Sequence, residues 1–199
     1  MKLQAWALLV LAQLAVVGAP ACLAQVPRDA QATDVEAAYL VNFLRYTQWP
    51  SRAFSGPNAP LVLTVVGPDA VAVRVRAVVA AAGRFEGRPV EVRRLQWQRG
   101  SKEAPLDSER DREAAEQMRR SHLVFFHADA GRPHPRVLTD LWGQPVLTVG
   151  NAPGFTRSGG MLGLLRKGDY IVFEANPGAI RNANLTVSAK VLKLARTGP

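Results

Sequence analysis

The chain is short of the residues that build covalent or metal frameworks. Among 199 residues it has one cysteine and three histidines. A lone cysteine excludes a disulfide scaffold and any Cys-rich zinc or iron–sulfur site. Three histidines leave little material for a multi-His metal centre. Acidic residues are also few: 16 Asp+Glu stand against 25 Lys+Arg, giving a formal net charge of +9. Hydrophobic residues make up 48% and charged residues 21%. That balance excludes a disordered or fibrous chain and fits a single domain with a real core.

Long apolar runs are confined to the N-terminus. Lys2 precedes an apolar stretch from Ala5 to Gly18, broken only by Gln13, and a small-residue site ends Ala19-Pro20-Ala21-Cys22-Leu23-Ala24. This is the pattern of a secretory signal peptide over residues 1–24, cleaved between Ala24 and Gln25. The run is shorter than the about 20 residues that cross a bilayer. Ala19-Pro20-Ala21 also makes a poor lipidation site before Cys22. Cleavage removes the only cysteine, so the exported chain is expected to carry no disulfide. Residues 25–32 read as a disordered polar segment, and 33–199 as one domain.

Thr33-Asp34-Val35-Glu36 has the form of a capping box, in which Thr33 and Glu36 bond each other's backbone N–H. The helix it opens is expected to run to about Gln48 and to stop at Trp49-Pro50. Ala37, Leu40, Val41, Leu44 and Thr47 mark its apolar face. Leu61–Val66 reads as a strand buried on both faces, followed by a helix over Ala70–Ala82. Val90–Leu95 alternates as a more exposed strand. Gln98–Asp111 reads as a surface loop, Arg112–Arg120 as a helix and Leu123-Val124-Phe125-Phe126 as a buried strand. Pro135–Trp142 is a short helix and Val146–Val149 another strand. Met161–Leu165 and Tyr170–Glu174 form a hairpin around Arg166-Lys167-Gly168-Asp169. Asn176 caps a helix with Pro177 at its first position, and a last helix is expected over Val187–Arg196. The alternation predicts an α/β fold: a three-layer α/β/α sandwich with a mostly parallel central sheet and a C-terminal β-hairpin.

Chemistry-bearing patterns are sparse. Gly154 to Gly160 has the glycine spacing of a phosphate loop, but Gly160-Met161 stands where Lys-Ser/Thr is needed, so a tight turn is the better reading. Thr156 occupies the first glycine's place of a nucleophile elbow at Ser158. His122, His127 and His134 lack helical ligand spacing and read as surface or strand-end residues. Glu36, Glu86, Glu91 and Glu174 are scattered, so no acid–base pair stands out. The arginines are dispersed without a basic-aromatic platform, which argues against nucleic acid. The residues therefore predict no catalytic site, no metal and no cofactor. A small-ligand-binding protein stays open: Trp49, Phe155, Gly159 and Gly160 frame a candidate apolar pocket.

The chain resembles the YfiR-like family of periplasmic proteins. The resemblance rests on Tyr39-Leu40-Val41-Asn42-Phe43-Leu44-Arg45-Tyr46-Thr47-Gln48-Trp49-Pro50, the strand and turn Leu61–Pro68, and Gly87-Arg88-Pro89-Val90. Pro145-Val146-Leu147-Thr148-Val149-Gly150, Gly159-Gly160-Met161, Tyr170-Ile171-Val172-Phe173-Glu174-Ala175-Asn176 and Lys190-Val191-Leu192-Lys193-Leu194-Ala195 follow in the same order. The resemblance implies a periplasmic α/β protein, often a homodimer, that restrains an inner-membrane diguanylate cyclase by binding its periplasmic sensor domain. An outer-membrane, peptidoglycan-associated lipoprotein would sequester it and release the cyclase. By the same match, Glu174 and Ile180 would contact the partner, with Leu162 as a further hydrophobic contact. Described members carry a disulfide bracketing the hairpin; Thr156 and Gly163 stand at those two places here.

Overall fold

A computed structural model describes residues 28–96, 109–131, 135–168 and 170–197. The expected signal peptide, and most of the expected loop over Gln98–Asp111, lie outside the described residues. So does His134.

The backbone alternates as the sequence predicts. In chain order come α1 (Arg28–Arg45), β1 (Thr47–Gln48), β2 (Leu61–Val66), α2 (Asp69–Ala82), β3 (Val90–Leu95), α3 (Glu109–Arg119), β4 (Leu123–Phe126) and α4 (Pro135–Asp140). Then follow β5 (Leu147–Gly150), β6 (Leu162–Lys167), β7 (Tyr170–Ala175), α5 (Pro177–Asn182), β8 (Thr186–Val187), α6 (Ala189–Leu192) and β9 (Arg196–Thr197). Among the described residues the main sheet has seven strands in the order β3-β2-β4-β5-β6-β7-β9. Every neighbouring pair is parallel except the β6–β7 hairpin. β1 and β8 form a small antiparallel pair beside it.

The continuous apolar strands make sense once both faces are covered. Along β4, Leu123 and Phe125 point into one core with Leu40, Leu44, Val75 and Ile180 from α1, α2 and α5. Val124 and Phe126 point into a second core with Met118, Leu138 and Phe155. This two-residue alternation between buried faces is what a parallel sheet between helical layers requires. Among the described residues no helix is long and apolar enough to cross a membrane.

Three local expectations need correction. The first helix begins at Arg28, not Thr33. Thr33 and Glu36 are therefore interior helical residues, the capping box does not form, and the Glu36 carboxylate bonds Asn151 instead. The same helix stops at Arg45, because Thr47 and Gln48 pair with Val187 and Thr186. That pairing also breaks the last predicted helix, of which only Ala189–Leu192 is helical. Leu194, placed on its apolar face by spacing, is 75% exposed. Tertiary pairing overrides a short helical pattern here.

Candidate functional site

After β2 the chain passes through α2 to the edge strand β3. After β4 it moves through α4 to the opposite side of the sheet, to β5. β2 and β4 are neighbours, so their carboxyl ends flank the point where the winding direction reverses. In open α/β sheets that crevice is where ligands bind. Gly67 closes β2 and His127 closes β4. A β-carbon on Gly67 would stand 2.8 Å from the His127 β-carbon, so the absent side chain is what lets the two ends approach.

A polar cluster fills this crevice. The His127 N–H donates to the Val66 carbonyl at 2.9 Å. Its Nδ1 accepts from the Asp129 N–H at 3.3 Å, which leaves Nε2 as the protonated nitrogen of the neutral ring. Nε2 faces Glu36 Oε2 at 3.9 Å, beyond hydrogen-bond length. Asn151, next after β5, donates from Nδ2 to Glu36 Oε1 at 2.9 Å. Its Oδ1 accepts from the Ala128 N–H at 2.6 Å. One carboxylate on α1 is thereby tied to the loops following β4 and β5.

The Glu36 and His127 side chains are each 12% exposed. Burial pushes the Glu36 carboxyl above its ordinary value. The Asn151 hydrogen bond and the electrostatic pull of the facing His127 lower it again, Asp129 pushes it up, and the positive charge of Arg166 lowers it a little. Asp129 Oδ2 lies 3.5 Å from His127 Nδ1, on an open, 69% exposed side chain. Among the described residues, no group of three or more His, Cys, Asp or Glu is placed to hold a metal ion.

The amino end of β4 carries a second cluster of different character. Trp49 Nε1 donates to the His122 carbonyl at 3.0 Å, and the Val62 N–H donates to His122 Nδ1 at 3.0 Å. Phe54 stacks on the imidazole with centroids 4.6 Å apart. The Arg88 guanidinium lies 3.9 Å over the Phe54 ring and donates to the Gly56 and Ala59 carbonyls. His122 is thus buried, at 5% exposure, and is not the surface residue expected. Burial holds it neutral, with its pKa lowered to about 4, although a backbone interaction with Ala53 pulls the other way. The stack fastens residues 49–59 over the sheet.

The residues singled out from sequence fall in separate places. Trp49 belongs to the amino-end stack. Phe155 packs against Phe126, with centroids 5.8 Å apart, close to the carboxyl end of β4. The pocket expected from Trp49, Phe155, Gly159 and Gly160 therefore does not assemble. Phe155 itself fills the space: β-carbons on Gly150 and Gly160 would stand 2.5 Å and 2.1 Å from its ring. Gly159 has φ +101 and makes the turn that follows.

Leu162 and Ile180 lie in the core at 0% and 3% exposure, so neither presents an exposed hydrophobic anchor. Ile180 packs α5 onto the sheet. Glu174 is half-buried on β7, opposite Gly163, and accepts from the Thr156 hydroxyl at 2.9 Å. Positions 156 and 163 are side by side, since a β-carbon on Gly163 would meet Thr156 Cγ2 at 3.2 Å.

Sequence reasoning missed the Glu36–His127–Asn151 cluster. Its one legible signal is positional: His127 and Asn151 each stand directly after a buried parallel strand.

The sheet order defines a doubly wound α/β sandwich, with a carboxylate from the first helix set among the polar groups where the winding reverses. The YfiR/HmsC-like family model matches residues 33–196, and the chain belongs to that family. No curated protein matches the chain.

Proposed function

We propose that the chain is a non-enzymatic periplasmic regulator. It binds the periplasmic sensor domain of an inner-membrane diguanylate cyclase and lowers cyclic di-GMP output. The observation that carries this reading is the family match over residues 33–196, which spans nearly all of the described fold. The N-terminal signal pattern supports export. The basic, cysteine-free composition after Ala24 fits a protein–protein regulator that does not use redox chemistry.

Repression then works by population shift: the regulator binds the inactive sensor conformation more tightly, and that difference in affinity sets the effect. Contact runs through the surface around Glu174. Ile180 and Leu162 shape that surface from beneath. The working unit is a homodimer, and an outer-membrane, peptidoglycan-associated lipoprotein releases the cyclase by sequestering it.

Cyclic di-GMP measured in a deletion strain tests the reading. A rise on deletion is expected, reversed by the full gene but not by a version lacking Met1–Ala24. Glu174→Arg should fail to restore repression while staying folded, with its stability lowered by about 1 kcal/mol for the lost Thr156 hydrogen bond. Unchanged cyclic di-GMP on deletion would remove the cyclase from the account.

A further inference from the structure

The crevice at the carboxyl ends of β2 and β4 is furnished with donors and filled from within. Asn151 Nδ2 bonds Glu36 Oε1 at 2.9 Å. His127 Nε2 faces Oε2 at 3.9 Å, and the positive charge of Arg166, on β6, acts on the same carboxylate. Glu36 sits there as a bound anion would: one oxygen hydrogen-bonded, the other turned to an imidazole N–H, both largely shielded from water. The fit is incomplete. Glu36 is carried on α1, so its reach is set by the helix, and the second oxygen stops short of Nε2. A carboxylate buried with one good hydrogen bond is a costly arrangement. A free anion of similar size can centre itself between the same donors.

We propose that this crevice is an anion-binding site which Glu36 occupies in the unliganded chain, and that a small carboxylate or phosphate ligand binds by taking the place of Glu36. Two acids oppose such a ligand. Asp129 is 69% exposed and on the Nδ1 side of His127, so water screens it. Asp69, at the start of α2, is 73% exposed and faces Arg94 at 3.7 Å. Displacing Glu36 also breaks the tie between α1 and the loop after β5. Ligand occupancy and the seating of α1 are therefore linked, and each biases the other by the same free energy. The inference stands independently of the cyclase and of any partner.

The test uses the exported chain, Gln25–Pro199, as wild type, Glu36→Ala and the double variant E36A/N151A. Each is titrated with sodium acetate and, separately, with sodium phosphate, at ionic strength held constant with chloride. Melting temperature and the Asn151 side-chain amide resonance are followed. E36A should show saturable stabilisation and bind at least one of the two anions about tenfold or more tightly than wild type, which must first give up its own occupant. The double variant should lose that response. Acetate alone acting assigns a carboxylate ligand; phosphate alone assigns a phosphate.

Equal, unsaturating responses in all three proteins overturn the proposal. So does a double variant that binds as well as E36A. If E36A does not fold, the wild-type chain decides: the Asn151 amide must shift saturably with one anion, and a resonance indifferent to both overturns the site.

Discussion

Two histidines bracket β4 and differ only in what surrounds them. Both read from sequence as surface or strand-end residues, because composition and spacing carry no information on the neighbours that tertiary packing supplies. His122 lies between Trp49 and Phe54 with its pKa near 4, against an ordinary 6.5. A folded value below the unfolded one means that the unfolded chain binds the proton first as pH falls. Stability from neutral His122 is therefore complete above about pH 6.5 and is lost between there and pH 4, about 3 kcal/mol in all. Chemical denaturation at pH 7, 5.5 and 4 should show that loss. His122→Phe should flatten it, at a standing penalty of about 1–3 kcal/mol for the orphaned Val62 N–H. An equally steep pH profile in the variant would clear His122 of the effect. Glu36 behaves in the opposite sense. Its carboxyl is raised by burial, so protonation favours the folded state. The wild type should gain stability relative to Glu36→Gln as pH falls from neutral toward 4.5, and a constant difference between the two proteins would contradict this.

At the scale of elements, legibility followed burial. β2, β4 and the β6–β7 hairpin were readable because unbroken apolar runs and a Gly-containing turn leave few alternatives. The chain after Asn184 was not readable. Val187, Val191 and Leu194 have helical spacing, yet Val187 pairs with Thr47 and Leu194 points to solvent. Two residues of strand pairing outweigh a helix too short to hold itself together. The glycine-rich segment is a turn, as its glycines predict, but the reason for them is packing more than backbone freedom. Gly150 and Gly160 are small because the Phe155 ring lies against both. Phe155→Ala should cost about 3–5 kcal/mol. Gly160→Ala should cost about 1–3 kcal/mol by overpacking, but close to nothing once Phe155 is alanine. A double-mutant cycle by urea denaturation measures this coupling. Additive effects would mean that Gly160 is required for its backbone alone.

The whole molecule combines two apolar cores, one on each face of a single sheet, and no cysteine among its described residues. No cross-link adds to what these cores and their hydrogen bonds supply among those residues. Reductant is expected to leave the melting temperature unchanged, and with it the proposed repression of cyclic di-GMP. The resemblance to disulfide-bearing relatives turns this into a sharper test, because positions 156 and 163 are already adjacent. In Thr156→Cys/Gly163→Cys, the Thr156 Cγ2 atom that crowds the new β-carbon is itself replaced by sulfur. Closing so short a loop should stabilise the oxidised variant by about 2 kcal/mol. Roughly 1 kcal/mol is offset by the lost Thr156–Glu174 hydrogen bond. The oxidised form should thus melt above its reduced form, while the wild type shows no such difference. The comparison also separates redox state from signalling. If the oxidised and reduced variants repress equally, the bridge in relatives is a stabilising device that this chain replaces with the Thr156–Glu174 contact. If only the oxidised variant represses more strongly than wild type, the rigidity of the Glu174 surface is what the partner reads, and the absence of a disulfide sets this protein to a weaker, constant level of control.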